Sequence, residues 1–300
     1  MDWELILIDD GSSDGSSQIC EKACAIDERI RFIRQEHKGV SAARNVGIGL
    51  SKGKYLFFLD SDDIIHPQLL ESLYSLEENN HTVIATTGFH FAGEGRFNRP
   101  SNWKVETCNT QESFYLDNSN ALNPSYLTNS KAWLCAIGGK MILREAVMQV
   151  RFDEMLSHSE DMWFVFQLLI NGADVSVLGW NWYYYRRGEK SSSKLFSVET
   201  CRSRYKVEKN IRDYHIKHDR ITYATKMENI ILDDISQWRN MGKRKKDIQL
   251  TRYMEELIKM EKKGTFFLKL KGYKKIIFYL EYFHFHYQRI ISEVMRRYIY

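Results

Sequence analysis

The junction FFLDSDDII, residues 57 to 65, constrains the fold more than any other stretch of the sequence. Asp60, Asp62 and Asp63 stand directly after an apolar, strand-like run, and the segment WELILIDD at residues 3 to 10 repeats the arrangement. Carboxylates beside buried strands repel one another and lose hydration, so they need a cation or a donor-rich ligand. Two such strand ends predict a ligand site at one edge of a sheet.

Strand-like and helix-like patterns alternate along the first part of the chain. The predicted strands cover residues 3–9, 30–34, 54–60 and 82–89, and the predicted helices include 40–50 and about 67–78. This alternation predicts an α/β fold with a doubly wound, mostly parallel, Rossmann-like sheet, whose third strand is buried on both faces. Because ligands bind beyond the carboxyl ends of parallel strands, both acidic groups are expected to face one crevice.

The later part of the chain has a different pattern. Residues 92 to 130 lack a sustained period and predict loops and short elements. A helix opening with Glu160 and Asp161 and a strand over 175–187 follow, and the periodicity is helical beyond about residue 195. We therefore predict an α/β domain over residues 1–193 and a helical region over 194–300.

Composition narrows the class of protein. Lysine and arginine exceed acids by only 43 to 39, which gives no reason to expect a nucleic-acid partner. The five cysteines are odd in number and form no CxxC pair, so we expect free thiols, a reducing compartment and a cytoplasmic location. No apolar stretch approaches the ~18 residues of a membrane-spanning helix.

The D-S-D-D loop suits a divalent metal. Mg²⁺ or Mn²⁺ prefers one or two carboxylates together with phosphate oxygens and water, which such a loop can offer. A purely structural alternative remains, because Asp-Gly-Ser and Asp-Ser-Asp-Asp are also good turn and helix-cap sequences. Asp63, for example, could cap the helix that begins near Pro67.

Five motifs occur in a fixed order: LILIDDGSSDGS, GVSAARNVGI, GKYLFFLDSDD, SEDMWF and YYYRRGEKSSS. Together they resemble the family 2 glycosyltransferases of the GT-A fold, over about residues 3 to 193. The resemblance implies transfer of a sugar from a nucleotide-sugar donor, most commonly a UDP-sugar, to a saccharide or lipid-linked acceptor hydroxyl. It also implies inversion at the anomeric carbon, dependence on Mg²⁺ or Mn²⁺, and a place in cell-surface polysaccharide synthesis.

The resemblance assigns the donor side of the site to the strand ends. Asp10 would accept a hydrogen bond from the nucleotide base, and Asp9 would support the turn, with helix capping as its alternative role. Asp60, Ser61 and Asp62 correspond to the DxD element. Asp62 would be the direct metal ligand, and Asp60 would lie nearer the ribose or also hold the metal.

The remaining implied roles lie on other elements. Arg44 resembles a position near the nucleotide, and an ion pair with a strand-end Asp is its alternative. Glu160 and Asp161 resemble the ED motif, in which the Asp is the general base, although acidic residues also stabilise the first turn of a helix. Arg186 and Arg187 resemble a basic flap over the pyrophosphate, and could instead simply flank a sheet edge.

One departure from the family pattern concerns the start of the sequence. Family members carry a further strand and helix ahead of the DDGS strand, and that strand lies centrally in the sheet. Its loss would leave two rows of unpaired backbone groups, each costing about 1 to 3 kcal/mol if buried. The hypothesis at this point is that residue 1 is an internal start and that the chain as numbered is inactive or unstable.

Residues 265 to 300 mix basic residues with aromatic and aliphatic ones. Such a segment can pack on the catalytic domain, or it can contact the inner face of the cell membrane as a peripheral helix. Two rival functions also remain. A catalytically impaired sugar-nucleotide binding module is the first, and a haloacid dehalogenase-type phosphatase with Asp60 as nucleophile and Asp62 as acid/base is the second.

Overall fold

The computed structural model describes residues 2–93, 113–128, 134–187 and 197–263, and every structural statement below refers to these residues. The chain divides into two compact units, Met1–Lys194 and Leu195–Tyr300. Each unit is described by itself. The predicted tail at 265 to 300 lies outside the described residues.

The first unit alternates strands and helices, as the sequence predicts. Its elements are β1 Leu5–Asp9, α1 Ser16–Ile26, β2 Ile30–Arg34, α2 Val40–Leu50, β3 Tyr55–Phe57, β4 Ile64–Ile65, α3 Leu69–Asn80, β5 Ile84–Gly93, β6 Phe114–Leu116, α4 Asn118–Ala121, α5 Pro124–Thr128, β7 Lys140–Leu143, α6 Arg144–Val147, α7 Glu160–Ile170 and β8 Val175–Arg187.

The strands form two sheets in the described part of the chain. β1 and β2 make a two-stranded parallel sheet. The larger sheet has the order β3-β7-β5-β8-β4, with β6 also paired to β8. β1 and β3 therefore each have one hydrogen-bonded neighbour among the described strands. The α/β class predicted from the sequence is confirmed.

The prediction of a mostly parallel sheet needs correction. The pairs β1–β2 and β5–β8 are parallel, whereas β3–β7, β4–β8, β5–β7 and β6–β8 are antiparallel. A crossover helix brings the chain back to the same end of a sheet and makes the next strand parallel. β7 does not follow such a helix directly after β5, so the crossover rule does not fix its direction.

The third strand is also less buried than its apolar run suggests. β3 covers only Tyr55–Phe57, and only Leu56 is buried, while Leu59 beyond it is 46% exposed. The reason is position: β3 lies at an edge of the larger sheet. The core beside it is built from Leu69, Leu73 and Leu76 of α3 packed against the sheet.

The second unit is helical, as predicted. It consists of α8 Val198–Lys217, α9 Ile221–Lys245 and α10 Ile248–Lys263. A capping box of Ser197 and Thr200 begins α8. Among the described residues, no helix combines the length and the apolar character that crossing a membrane requires.

A buried ionic group joins the three helices of the second unit. The Arg212 guanidinium lies 2.5 Å from Glu228 and 2.9 Å from Glu261, and all three side chains are at most 7% exposed. Tyr205 donates its hydroxyl to Glu261 as well. Because a buried charge needs partners, this arrangement fixes how the helices are positioned against each other.

Candidate active site around Arg44

Arg44 on α2 gathers carboxylates from two distant parts of the chain. Its guanidinium donates to Asp60 at 2.9 Å, to Glu160 at 3.1 Å and to Asp161. Arg44 is 10% exposed, and the three carboxylate side chains are 39%, 16% and 21% exposed. The ion pair with a strand-end Asp, which the sequence left open for Arg44, is present, and the ED motif takes part in it.

Local contacts explain why Arg44 reaches this point. Asn45, the next residue of α2, exchanges hydrogen bonds with the backbone of Phe152, at 2.9 and 3.0 Å, and donates to Glu154 at 2.9 Å. The Arg44 guanidinium also lies 5.3 Å from the centre of the Phe152 ring. The loop before α7 is thereby fixed against α2.

Asp161 is the most perturbed carboxylate of the group. One of its oxygens accepts from Arg44 and the other from the backbone N–H of Ile137 at 3.1 Å. Burial raises the pKa of Asp161 to about 7, although the positive charge of Arg44 acts to lower it. Burial would lower the pKa of Arg44, but Asp161 and Asp60 outweigh it and hold that pKa above its ordinary value.

Asp9 and Asp10 contact a different set of groups. Asp9 accepts from the Ser12 N–H at 2.9 Å and from the Ser17 hydroxyl. Hydrogen bonding by the Ser12 side chain, then by Ser17 and the Ser12 N–H, lowers the pKa of Asp9 to about 2. Asp9 thus supports the turn. It is not the N-cap of α1, which is Gly15.

Asp10 is held by the loop between β2 and α2. It accepts from the Gln35 side chain at 2.7 Å and from the N–H groups of Lys38 and Gly39 at 2.8 Å each. Gly39 has a φ of 92°, which favours glycine. Burial acts to raise the pKa of Asp10, but these hydrogen bonds outweigh it and the pKa is lowered.

The two acidic groups share no bonding partner among the described residues. α2 nevertheless contacts both, because Gly39 at its N-cap donates to Asp10 and Arg44 in its second turn donates to Asp60. The single crevice predicted from the sequence is therefore supported by one helix common to both groups, and it stays a prediction.

Asp63 has a different role from the predicted helix cap. The Tyr183 hydroxyl donates to Asp63 at 2.7 Å and the Arg186 N–H donates to it at 2.9 Å. Helix α3 begins at Leu69, with Gln68 as its N-cap. Burial raises the pKa of Asp63. Both donors lie on strand β8, so Asp63 links the D-S-D-D loop to the sheet.

The rest of the D-S-D-D loop is free to meet a ligand. Ser61 and Asp62 are exposed, and Asp60 keeps one oxygen beyond its bond to Arg44. Among the described residues, no group of three or more His, Cys, Asp or Glu side chains is arranged to hold a metal. The carboxylates of Asp60 and Asp62 are of the ligand type that Mg²⁺ or Mn²⁺ takes together with phosphate oxygens and water.

The predicted basic flap is only partly described. Arg186 is exposed, and its backbone N–H bonds to Asp63. The side chain of Arg187 and the serines that follow lie outside the described residues.

Two residues near the site were missed by the sequence analysis. Tyr183, 1% exposed, anchors Asp63, and Lys140 is fully buried where β7 begins. Burial lowers the pKa of Lys140 to about 8, although Cys135 and Asp161 act to raise it. A lysine opening the apolar run KMIL is a signal that could have identified the second residue.

The first unit, with carboxylates at its strand ends and at the start of α7, defines a GT-A type α/β domain. The family model described as glycosyl transferase family 2 matches residues 1–150. This chain belongs to glycosyl transferase family 2.

Three relatives illustrate the similarity. The chain is 32% identical over 195 residues to the minor teichoic acid biosynthesis protein GgaA of Bacillus subtilis, covering 63% of this chain and 41% of the relative. It is 39% identical over 97 residues to the glycosyltransferase GlyG of Streptococcus pneumoniae, covering 31% and 32%. It is 28% identical over 201 residues to the poly(ribitol-phosphate) beta-N-acetylglucosaminyltransferase TarP of Staphylococcus aureus, covering 66% and 57%. The matched part spans less than two thirds of each relative.

Solved structures agree on the fold. Residues 1–349 of TarS from Staphylococcus aureus, in complex with UDP-GlcNAc, superpose with a TM-score of 0.58 at 18% identity, covering 87% of this chain and 83% of that one. The same TarS fragment in complex with UDP gives a TM-score of 0.53 at 19% identity, covering 77% and 61%.

Proposed function

We propose that this chain is an inverting glycosyltransferase that moves a sugar from a UDP-sugar to the hydroxyl of a saccharide or lipid-linked acceptor. The observation that carries the proposal is the Arg44 cluster. It brings the strand-end Asp60 together with Asp161, which lies 117 residues along the chain from Arg44. The family resemblance assigns the first to the donor and the second to the acceptor, so one cluster joins both halves of a transfer reaction.

Asp161 is proposed as the general base. A carboxylate whose pKa lies near 7 accepts a proton more readily than an ordinary one and is still largely ionised above neutral pH. Arg44 and the Ile137 N–H orient its two oxygens. Deprotonation of the acceptor hydroxyl by Asp161 would permit in-line attack at the anomeric carbon, with inversion.

Donor binding is assigned to the strand ends. Asp10 would accept from the base, and Arg186 and Arg187 would meet the pyrophosphate. A bound Mg²⁺ or Mn²⁺ would be held by Asp62 and Asp60, and would supply neutralisation of the charge that develops on the departing diphosphate. The TarS complex with UDP-GlcNAc supports UDP as the nucleotide.

The biological setting is likewise a proposal. GgaA and TarP are named for teichoic acid synthesis and for poly(ribitol-phosphate) modification. These names support a role in cell-surface polysaccharide synthesis. The cytoplasmic location is proposed from the unpaired set of five cysteines, and the contact with the inner face of the membrane from the basic and aromatic composition of residues 265–300.

A panel of sugar nucleotides tests the proposal. The full chain is incubated with each sugar nucleotide, with Mn²⁺ or with a chelator, and the release of nucleoside diphosphate is measured. We expect metal-dependent release from at least one UDP-sugar and a loss of about 10² to 10⁴ in rate for Asp161→Asn. An unaltered rate of nucleoside diphosphate release by Asp161→Asn would show that Asp161 takes no part in the reaction.

Calorimetry separates the transferase from an impaired binding module. Metal-dependent binding of UDP without turnover of any sugar nucleotide would favour the binding module. Absence of both binding and turnover would count against either function.

A further inference from the structure

Four consecutive cations at the end of α9 have no ion-pair partner among the residues that the structure describes. Lys243, Arg244, Lys245 and Lys246 are all exposed, and no carboxylate in the described part of the chain lies within salt-bridge distance of them. Other exposed cations do have such partners, as Lys54 has in Glu78. The four charges are therefore not neutralised by any carboxylate in the described part of the chain.

The turn that follows fixes the backbone of this segment. Lys246 adopts a left-handed conformation with a φ of 56°, and the Asp247 N–H donates to the Gly242 carbonyl at 2.8 Å. A Cβ on Gly242 would lie 2.8 Å from the Thr251 hydroxyl oxygen, so α9 and α10 approach closely here. Residues 243–248 form a compact helical hairpin tip, the α9–α10 tip.

The nearest acid does not cancel this charge. Asp247 is the one acidic residue between positions 241 and 254. Its carboxylate accepts from the Leu250 N–H at 2.9 Å and thereby caps α10. The tip keeps a strong local excess of positive charge.

An apolar residue accompanies the cations. Ile248 is 81% exposed, and it lines a cavity of about 380 Å³ with three cations, Lys243, Lys246 and Arg252. Asp247 and Glu255 also line this cavity. Cations in the last turn offset the helix dipole, but that effect involves neither Arg252 nor an exposed isoleucine.

We propose that the α9–α10 tip docks on an anionic membrane surface. Lysine and arginine at such a surface are attracted by lipid phosphates and by the negative surface potential, and an exposed isoleucine gains from entering the interfacial region. A soluble polyanion would pair with the cations but would leave Ile248 in water. The membrane accounts for both features, and the docking requires no catalytic activity.

Vesicle flotation of the full chain tests this inference. Vesicles of phosphatidylcholine alone are compared with vesicles containing equal parts of phosphatidylcholine and phosphatidylglycerol. The tip variant carries Lys243→Gln, Arg244→Gln, Lys245→Gln and Lys246→Gln. The control variant removes the same charge from scattered exposed positions, through Arg202→Gln, Lys209→Gln, Lys217→Gln and Lys259→Gln.

We expect the chain to float with anionic vesicles and not with neutral ones. At low salt, partitioning of the tip variant onto anionic vesicles should fall by about fivefold for each cation removed. Partitioning of Ile248→Ser should fall by less than that of the tip variant. Equal flotation of the tip variant and the unchanged chain would overturn the proposal, as would an equal loss in the control variant. Binding to soluble polyphosphate without flotation on anionic vesicles would also overturn it, in favour of a phosphate-bearing polymer. Circular dichroism confirms that the variants fold.

Discussion

Arg44 brings a positive charge to three carboxylates that would otherwise repel one another. The crowding predicted from the sequence concerned the carboxylates at the strand ends, which were expected to need a cation or a donor-rich ligand. For Asp60 the chain itself supplies a cation, together with two further carboxylates. One guanidinium does not neutralise three carboxylates, so the cluster keeps a net negative charge that favours a further cation or a proton. Asp161, with its raised pKa, is the group that would take the proton.

The first prediction concerns Arg44→Gln. Removing this cation leaves three partly buried carboxylates without their shared partner, so the free energy of unfolding should fall by about 3 kcal/mol, with their partial exposure keeping the loss from being larger. Urea unfolding at neutral pH measures it. Lys54→Gln is the matched control, because the Lys54–Glu78 pair is solvent-exposed and should leave the unfolding midpoint unchanged. Equal midpoints for all three proteins would contradict the prediction.

The second prediction follows from the raised pKa of Asp161. The unfolded carboxyl has a pKa near 3.8 and the folded one about 7, so the folded state binds the proton more tightly. The stabilising contribution is complete below pH 3.8 and is lost as the pH rises through about 7. Between about pH 5 and about pH 8 the free energy of unfolding of the unchanged chain should fall by about 2 to 3 kcal/mol relative to that of Asp161→Asn. Urea unfolding across this pH range checks it, and parallel curves would show that the pKa is not raised.

The sequence predicted this site in part. Asp60 was singled out at the end of an apolar strand-like run, whereas Arg44, Glu160 and Asp161 were singled out through the family resemblance of their motifs. What joins them is a contact across 117 positions, and no local pattern specifies such a contact. Tyr183 and Lys140 were missed for the same reason, since a tyrosine in an aromatic strand and a lysine at a strand start acquire a role only through packing.

At the scale of elements, α2 was predicted with the bounds it has, Val40–Leu50. Gly39 before it and the small residues along it are strong local signals. β3 was predicted too long, because an apolar run records hydrophobicity and not the number of neighbouring strands. The direction of β7 could not be predicted, since it depends on how a stretch without sustained periodicity returns to the sheet.

The third prediction concerns β8 as the support of the D-S-D-D loop. Tyr183→Phe removes the hydroxyl that donates to Asp63 at 2.7 Å, so a buried carboxylate loses a partner. The free energy of unfolding should fall by about 1 to 2 kcal/mol. Thermal unfolding measures the change. Tyr74→Phe serves as control, because the Tyr74 ring is 39% exposed and its hydroxyl makes no hydrogen bond to any residue that the structure describes. If Tyr183→Phe is as stable as the control, the hydrogen bond from Tyr183 to Asp63 does not stabilise the fold.

At the scale of the whole molecule, the chain consists of two units, and each has an apolar core of its own. The core of the first unit packs against a sheet, and the core of the second lies between helices, which composition and periodicity predict well. The second unit also encloses an ionic group, and helical periodicity gives no sign of that group, because Arg212, Glu228 and Glu261 are of residue types that usually face water.

The fourth prediction tests that ionic group. Arg212→Met leaves Glu228 and Glu261 buried without their cation and should lower the free energy of unfolding by about 3 to 5 kcal/mol. Urea unfolding followed by helical circular dichroism measures the loss. Adding Glu228→Gln and Glu261→Gln to the same protein should recover part of it, because the uncompensated charges are then gone. If the triple variant is no more stable than Arg212→Met, the loss comes from packing.

β1 and β3, each with a neighbour on one side only among the described strands, have a consequence for handling the protein. A strand edge that nothing covers offers a row of free N–H and C=O groups to any extended peptide, including the same edge of a second molecule. The exposed side chains of Leu5 and Leu59, on or next to these strands, add apolar surface at the edges. We therefore expect the chain to self-associate at high concentration through backbone pairing, with a growing β signal in circular dichroism.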